Sequence, residues 1–368
     1  MIQQSPAVVT SHERGYGLLE LLIATAIGVV VLAVLLRFAV AAHTLTGVQG
    51  ETMDVQQRLR VAVEAMRHDL ELAGAGPTRG PFAGPLNRLF APIAPARIGV
   101  TGADPELSFR PDRVSVVYVP AGGAETRLTA DMTSTGSPIV IDGSAPGCRP
   151  ASACSFAVGA DVLIFEAGGV GAAHEVFTVS AVDAANNLLT PSAPLSRPYS
   201  APAQVAEVVR RTYYLDAPGK RLMMYDGARS DVPLVDHVVV LQVAYYGDPR
   251  PDSVMPPVPG ASSCAYAGTP AVSVLTHLGG DGPKPMAASL LTDGPSCGQP
   301  PFRFDADLLR VRRVSITIRV EAESAEFRGR GIGFSSPGVA RASTRAVPDL
   351  QTTIDVTPPN MTRRILLP

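Results

Sequence analysis

The sequence predicts an α+β protein in which one long N-terminal helix precedes a strand-rich, loop-rich C-terminal domain. Three observations lead there. An apolar run, Leu18 to Leu36, is followed by a helical stripe that reaches Ala73. Beyond residue 112 the apolar residues fall into short runs of strand type. The 34 Gly and 34 Pro of the chain favour turns and short strands over a helical bundle. A chain of 368 residues holds one large domain or two small ones.

The first element is the helix. Residues 18–36 are long enough, at about 1.5 Å per residue, to cross a hydrocarbon layer of roughly 30 Å. The run is preceded by His12-Glu13-Arg14 and followed by Arg37, so a single span with a cytoplasmic N-terminus is expected and the rest of the chain lies outside the cytoplasm. Residues 37–73 continue as an amphipathic helix. Val55, Leu59, Ala62, Met66, Leu70 and Ala73 recur at helical spacing, and Arg60–Glu64, Glu64–His68 and Arg67–Glu71 are i,i+4 pairs on other faces. The stripe is expected to lie on the chain's own sheet. Gly47 and Gly50 weaken the middle, and Gly74-Ala75-Gly76-Pro77 supplies the stop.

Residues 74–112 carry seven Pro and read as a linker with little regular structure. The domain then occupies residues 113–368. Its strand-like runs are Val114–Val119, Pro138–Ile141, Asp161–Phe165, Glu175–Val182, Val205–Leu215, Arg221–Tyr225, Val235–Tyr246 and Leu308–Glu323. Alternation puts Val239, Leu241, Val243 and Tyr245 on one face, and Val314, Ile316, Ile318 and Val320 on another. Leu309 and Val311 have the opposite parity, so a bulge near Arg312-Arg313 is expected. Residues 247–301 hold eleven Pro and form an insertion too long for a plain hairpin loop.

The four cysteines, Cys148, Cys154, Cys264 and Cys297, all follow the span. An even count on the exported side suggests two disulfides, with three connectivities open. The local pairing, Cys148–Cys154 and Cys264–Cys297, is preferred because each pair closes one Gly/Pro-rich loop. Loop entropy assigns roughly 2.4 and 3.8 kcal/mol to the two. No CxxC is present and the histidines do not group with the cysteines, which disfavours zinc.

The net charge of -2 argues against a nucleic-acid partner. The Arg-rich stretch from Arg303 to Arg345 is interleaved with Asp305, Asp307, Glu321, Glu323 and Glu326, and reads as a solvated strand face. Hydrolase and nucleotide motifs are missing from the sequence. "GFSSPG" breaks the G-x-S-x-G pattern, "GRGIG" lacks the dinucleotide spacing, and "GGDGPKP" offers one acid, Asp281, to a cation. His174, His237 and His277 are scattered. No enzymatic activity, cofactor or metal is expected.

One residue stands against the apolar run. Glu20 sits near its start, and a carboxylate in hydrocarbon costs a few kcal/mol. A cleaved signal peptide, with Ala39-Val40-Ala41 as its site, would have an overlong apolar core containing an acid. An uncleaved anchor explains the length but not Glu20. The order Gly15, Tyr16, Gly17-Leu18-Leu19, Glu20, then apolar residues resembles the class III signal of type IV prepilins and pseudopilins. The string "QQRLRVAVEAMRHDLELAGAG" resembles the following helix of PilW-type minor pilins and J-type minor pseudopilins. Residues 212–248, with "PLVD" leading into a long strand, and the stretches "LLRVRRVSITIRVEAES" and "RAVPDLQTTIDVTPPNMTRR" resemble later parts of that family.

The resemblance implies a type IV pilin-like fold, with the long helix packed on a largely antiparallel β-sheet. It implies a leader, residues 1–15, cut after Gly15 by prepilin peptidase, and methylation of the new N-terminus at Tyr16. The amine freed there would meet Glu20 of a neighbouring subunit as helices pack in a filament. The implied partners are other minor pilins, the major pilin and the inner-membrane assembly platform. The implied location is the inner membrane with the domain in the periplasm, then a pilus or pseudopilus at the cell surface. A PilW-like minor pilin that starts or caps a pilus is the expected role. A J-type pseudopilin of a type II secretion system is the near alternative, and a membrane-anchored periplasmic binding protein or enzyme the distant one.

Overall fold

The computed structural model describes residues 17–78, 86, 90–146, 148–149, 152–166, 174–254, 256, 263–298, 303–340 and 345–362. It begins with one unbroken helix, α1, Leu18–Leu72. No Pro interrupts this segment, and most of its residues are good helix formers, so Gly28, Gly47 and Gly50 are carried without a break. The helix ends where Gly74 adopts a φ of 77°, open to glycine without strain, and donates to the Val117 carbonyl. Val55, Ala62, Met66, Leu70 and Ala73 are fully buried and Leu59 is partly so. The stripe therefore lies on the domain as its spacing requires.

The strands that follow are β1 (Ile93–Ala94), β2 (Arg113–Tyr118), β3 (Glu125–Arg127), β4 (Ile139–Val140), β5 (Asp161–Phe165), β6 (His174–Asp183), β7 (Leu188–Pro191) and β8 (Gln204–Glu207). After them come β9 (Val209–Asp216), β10 (Arg221–Tyr225), β11 (Asp231–Asp236), β12 (Val238–Gly247), β13 (Tyr266–Ala267), β14 (Val272–Ser273), β15 (Lys284–Met286), β16 (Ser296–Cys297), β17 (Phe304–Asp305), β18 (Val311–Val320) and β19 (Leu350–Val356). Every strand pair among the described residues is antiparallel.

Two sheets take the helix. One has the order β1-β2-β9-β10-β11, the other β15-β12-β18-β19. They are joined through His237, whose φ of 59° turns β11 into β12. The core beneath α1 contains Val114, Val116, Tyr213, Val238, Val243, Val314, Ile316, Ile318 and Val320. A bulge does occur at Arg312: Tyr246 faces Arg313 while Gly247 faces Val311. A second one, between Val238 and Val240, was not anticipated. It puts Val238 rather than Val239 in the core.

A third unit separates β2 from β9, which are neighbours in one sheet. Residues 125–207 form a six-stranded sheet of order β3-β8-β5-β6-β7-β4. A bridge between Leu128 and Ile141, with Asp142 N–H donating to the Arg127 carbonyl, joins the two outer strands into a closed barrel. Closure removes the exposed edges that short strands otherwise present. Its interior holds Ile139, Val162, Ile164, Phe177, Val179, Leu189 and Val205. Leu163, Phe165, Ala206 and Val208 face outward and meet Leu86, Val117 and Val119 of the main body. The Val205–Leu215 run, read from sequence as one strand, is two: β8 belongs to the barrel and β9 to the sheet.

The described part of residues 74–112 has little regular structure, as its Pro and Gly require, but it packs on the domain. Ala91, Ile93 and Ala94 are buried, and β1 pairs with β2. The insertion 247–301 is packed rather than free, with Val254, Ala265, Leu275, Met286 and Leu291 in the main core. The disulfides join Cys148 to Cys154 across 6 residues and Cys264 to Cys297 across 33.

Candidate functional site

The sequence points to α1, and the structure divides it sharply. Over residues 18–36 the large apolar side chains are 51–81% exposed, on every side of the helix. This half is long and apolar enough to cross a membrane and none of it is buried in the domain. A possible single membrane span therefore precedes a domain with two disulfides. Gly15 and Tyr16 lie outside the described residues. Glu20 lies in the first turn, near the positive end of the helix dipole, and its carboxylate has no partner among the described residues.

The other half of α1 carries a second carboxylate with the opposite surroundings. Asp69 is fully buried at the helix–sheet seam. It accepts hydrogen bonds from the Tyr118 hydroxyl at 2.9 Å and the Tyr213 hydroxyl at 2.6 Å, and from Arg211 Nη1 at 3.0 and 3.1 Å. β2 supplies Tyr118, and its neighbour in the sheet, β9, supplies Arg211 and Tyr213. Burial, then the Asp69 charge, pushes both phenols well above the usual tyrosine range, so they remain donors. Sequence reasoning passed over Asp69, although an acid three residues after Met66 and four before Ala73 stands inside the apolar stripe.

Closer to the membrane half, Arg58 pairs with Asp54 and with Glu323. The Glu323 N–H donates to Glu51, and the Phe327 ring lies against Gly47. Both come from the connection between β18 and β19. The domain thus grips α1 from Gly47 to Ala73 and leaves residues 18–36 free.

The Arg-rich stretch is solvated at Arg303, Arg330 and Arg345 but not at its centre. Arg310 is fully buried, pairs with Asp307 at 2.6 Å, and donates to the carbonyls of Asp248, Pro249 and Thr276. Glu321 is buried between Lys220 at 2.7 Å and Arg328 at 3.2 Å. Its burial would raise its pKa, but the hydrogen bond from Lys220, the nearby Ser336 hydroxyl and both cationic charges outweigh that and hold it low. Paired charges replaced solvent because β18 runs through the centre of its sheet.

Other polar groups gather elsewhere in the domain. Carboxylate oxygens of Asp293, Asp305 and Asp307 lie within 4.8 Å of one another. Both Asp305 oxygens already accept N–H bonds, from Gly294 and Asp307, and Asp307 is engaged by Arg310. Lys220 donates to Ser336 Oγ at 2.7 Å while paired with Glu321, so an ammonium points at that hydroxyl rather than a base. Asp281 lines an open cavity of about 260 Å³ with Asp248, Arg250 and Arg312, where Asp248 and Arg250 pair with each other. His174 stacks edge-on against Phe90, His237 forms the β11–β12 bend, and His277 accepts from the Gly279 N–H. No group of three possible metal ligands among the described residues includes a histidine.

No protein-family model, curated protein or solved structure matches the chain.

Proposed function

We propose that this chain is a PilW-like minor pilin, a structural subunit that helps to start or cap a type IV pilus. The observation that carries the reading is the division of α1. One continuous helix has a free apolar half with a single acid, Glu20, in its first turn, and a second half docked on a strand-rich domain. A free apolar helix with its acid at the start suits lateral packing against like helices, first in the membrane and then in a filament core. Pairing Glu20 with the amine of a neighbouring subunit, freed at Tyr16 by cleavage after Gly15, would relieve the cost of an isolated carboxylate and favour assembly. The partners are then prepilin peptidase, the other pilins and the inner-membrane platform. The bulk of a barrel added to the two sheets favours an end position over a repeated one, and with the 247–301 insertion it favours a pilus over the pseudopilus.

Mass spectrometry of the N-terminal peptide of the chain from its native membrane tests this. A peptide beginning at Tyr16 and heavier by one methyl is expected. An N-terminus at Met1, or at Ala42 after an ordinary signal cut, would remove the helix from any filament core and end the proposal.

A further inference from the structure

The end of the domain from which α1 emerges has a defined composition. Two contacts fix the orientation. Glu323, three residues past the end of β18, is bonded to Glu51 and Arg58 of α1. At the opposite end, Gly74 lies against Met361, beyond the end of β19. So β18 runs towards the apolar half of α1, β19 runs away from it, and the described parts of their connection, residues 321–340 and 345–349, lie at the end between them.

That connection also reaches towards the membrane half. Phe327 lies against Gly47, and the apolar run of α1 resumes after Arg37 as Phe38-Ala39-Val40-Ala41-Ala42. A tilted span carried on from Leu18 to Ala42, about 25 residues, keeps Glu20 near its start and lets Arg37 reach outward along its own stem. From Ala42 to Gly47 is then about 7.5 Å of helix, comparable with one headgroup layer of roughly 5–8 Å. Such a span would set the end of the domain beside the lipid surface.

The tip of the connection has the chemistry for that surface. Ile332 is 100% exposed between Gly331 and Gly333. The tip is held at the sheet end, not swung free: Arg319 donates to the Ile332 carbonyl and Asp349 N–H to the Gly333 carbonyl. Arg330, two residues before Ile332, is exposed and makes no ion pair among the described residues. An apolar side chain beside an unpaired guanidinium matches acyl chain beside phosphate.

We propose that residues 330–333 form a second membrane contact, with Ile332 entering the headgroup layer and Arg330 meeting phosphates of the bilayer that holds α1. The contact rests on the reading of α1 as a membrane span. It would fix the tilt of the domain over the membrane before assembly, and leaving the membrane for a filament would break it.

The chain has no Trp, so an introduced one reports alone. The full chain carrying I332W, V30W or V274W is placed in nanodiscs of phosphatidylglycerol and phosphatidylcholine, with or without bromine on the upper acyl chain. V30W lies in the free half of α1 and V274W in the insertion at the far end of the domain. Bromine is expected to reduce V30W and I332W emission and to leave V274W unchanged, and R330E is expected to weaken the loss at I332W. Loss at V30W without loss at I332W overturns the contact and leaves the span standing. Absence of loss at V30W overturns the span and the contact together. A blue shift of I332W that needs two copies per disc and ignores bromine assigns the tip to a neighbouring subunit, and also overturns the contact.

Discussion

Glu20 and Asp69 are both single acids on apolar stretches of the same helix, and their surroundings could hardly differ more. Glu20 has no partner within the described chain, while Asp69 is enclosed by a guanidinium and two phenols. The difference separates two tasks. A carboxylate satisfied inside its own domain stabilises one geometry of helix on sheet. One left unsatisfied lowers the stability of the lone subunit relative to any assembly that pairs it. The two halves of α1 follow the same division, since the docked half buries its stripe internally and the free half exposes apolar surface on all sides.

Removing Asp69 should produce the largest effect on the domain. Asp69→Ala leaves two buried hydroxyls without an acceptor and Arg211 without its counter-charge, at a cost of about 3–4 kcal/mol. Asp69→Asn keeps an acceptor and should recover about half of that. Urea unfolding of the full chain in detergent, followed by tyrosine fluorescence, measures both. Unfolding midpoints equal to wild type for Asp69→Ala would show that the seam is held by the apolar stripe alone, and the contrast with Glu20 would lose its basis.

A third carboxylate lies between these extremes. Asp307 is buried like Asp69 but shares its pocket with Asp305 and Asp293, and its own counter-charge is Arg310. Burial raises its pKa to about 6, with Arg310 opposing and the two acids adding to the rise. The sign follows from linkage. The folded protein holds this proton more tightly than the unfolded chain, so the contribution to stability is complete below about pH 4 and is lost as pH rises to about 6. The loss amounts to up to about 3 kcal/mol. Asp307→Asn should match wild type near pH 4 and exceed it at pH 7 in thermal unfolding. A variant less stable than wild type at pH 7 would mean that Arg310 compensates Asp307 fully, making it a second Asp69.

Much of this was legible from spacing alone. The α1 stripe, the face of β18 and the bulge at Arg312 each follow from a period, and a period survives in a single sequence. The barrel was not legible, because its closure depends on the Leu128–Ile141 bridge between segments that carry two or three strand residues each. Nor was the break at Val208, since a continuous apolar run reads the same whether one sheet or two receive it. Asp69 was readable as an exception within the stripe. Its three partners were not, because Tyr118, Arg211 and Tyr213 converge only through the pairing of β2 with β9, across an insertion of some ninety residues.

The smallest expected effect concerns the boundary between the two halves. Gly47 and Gly50 sit where α1 passes from free to docked, and each costs roughly 1 kcal/mol of helix stability relative to Ala. A methyl group at Gly50 meets nothing within 4 Å, so Gly50→Ala should gain most of that amount. A methyl group at Gly47 would lie 3.1 Å from Phe327 Cζ, and the ring must shift to admit it. Gly47→Ala should therefore gain less than Gly50→Ala, and trimming the ring by Phe327→Leu should narrow that gap. Hydrogen exchange over residues 44–54 is the suitable measurement, because global unfolding would average this seam with the whole domain. Equal protection in the two single variants would separate Phe327 from Gly47 and move the start of the docked half further along the helix.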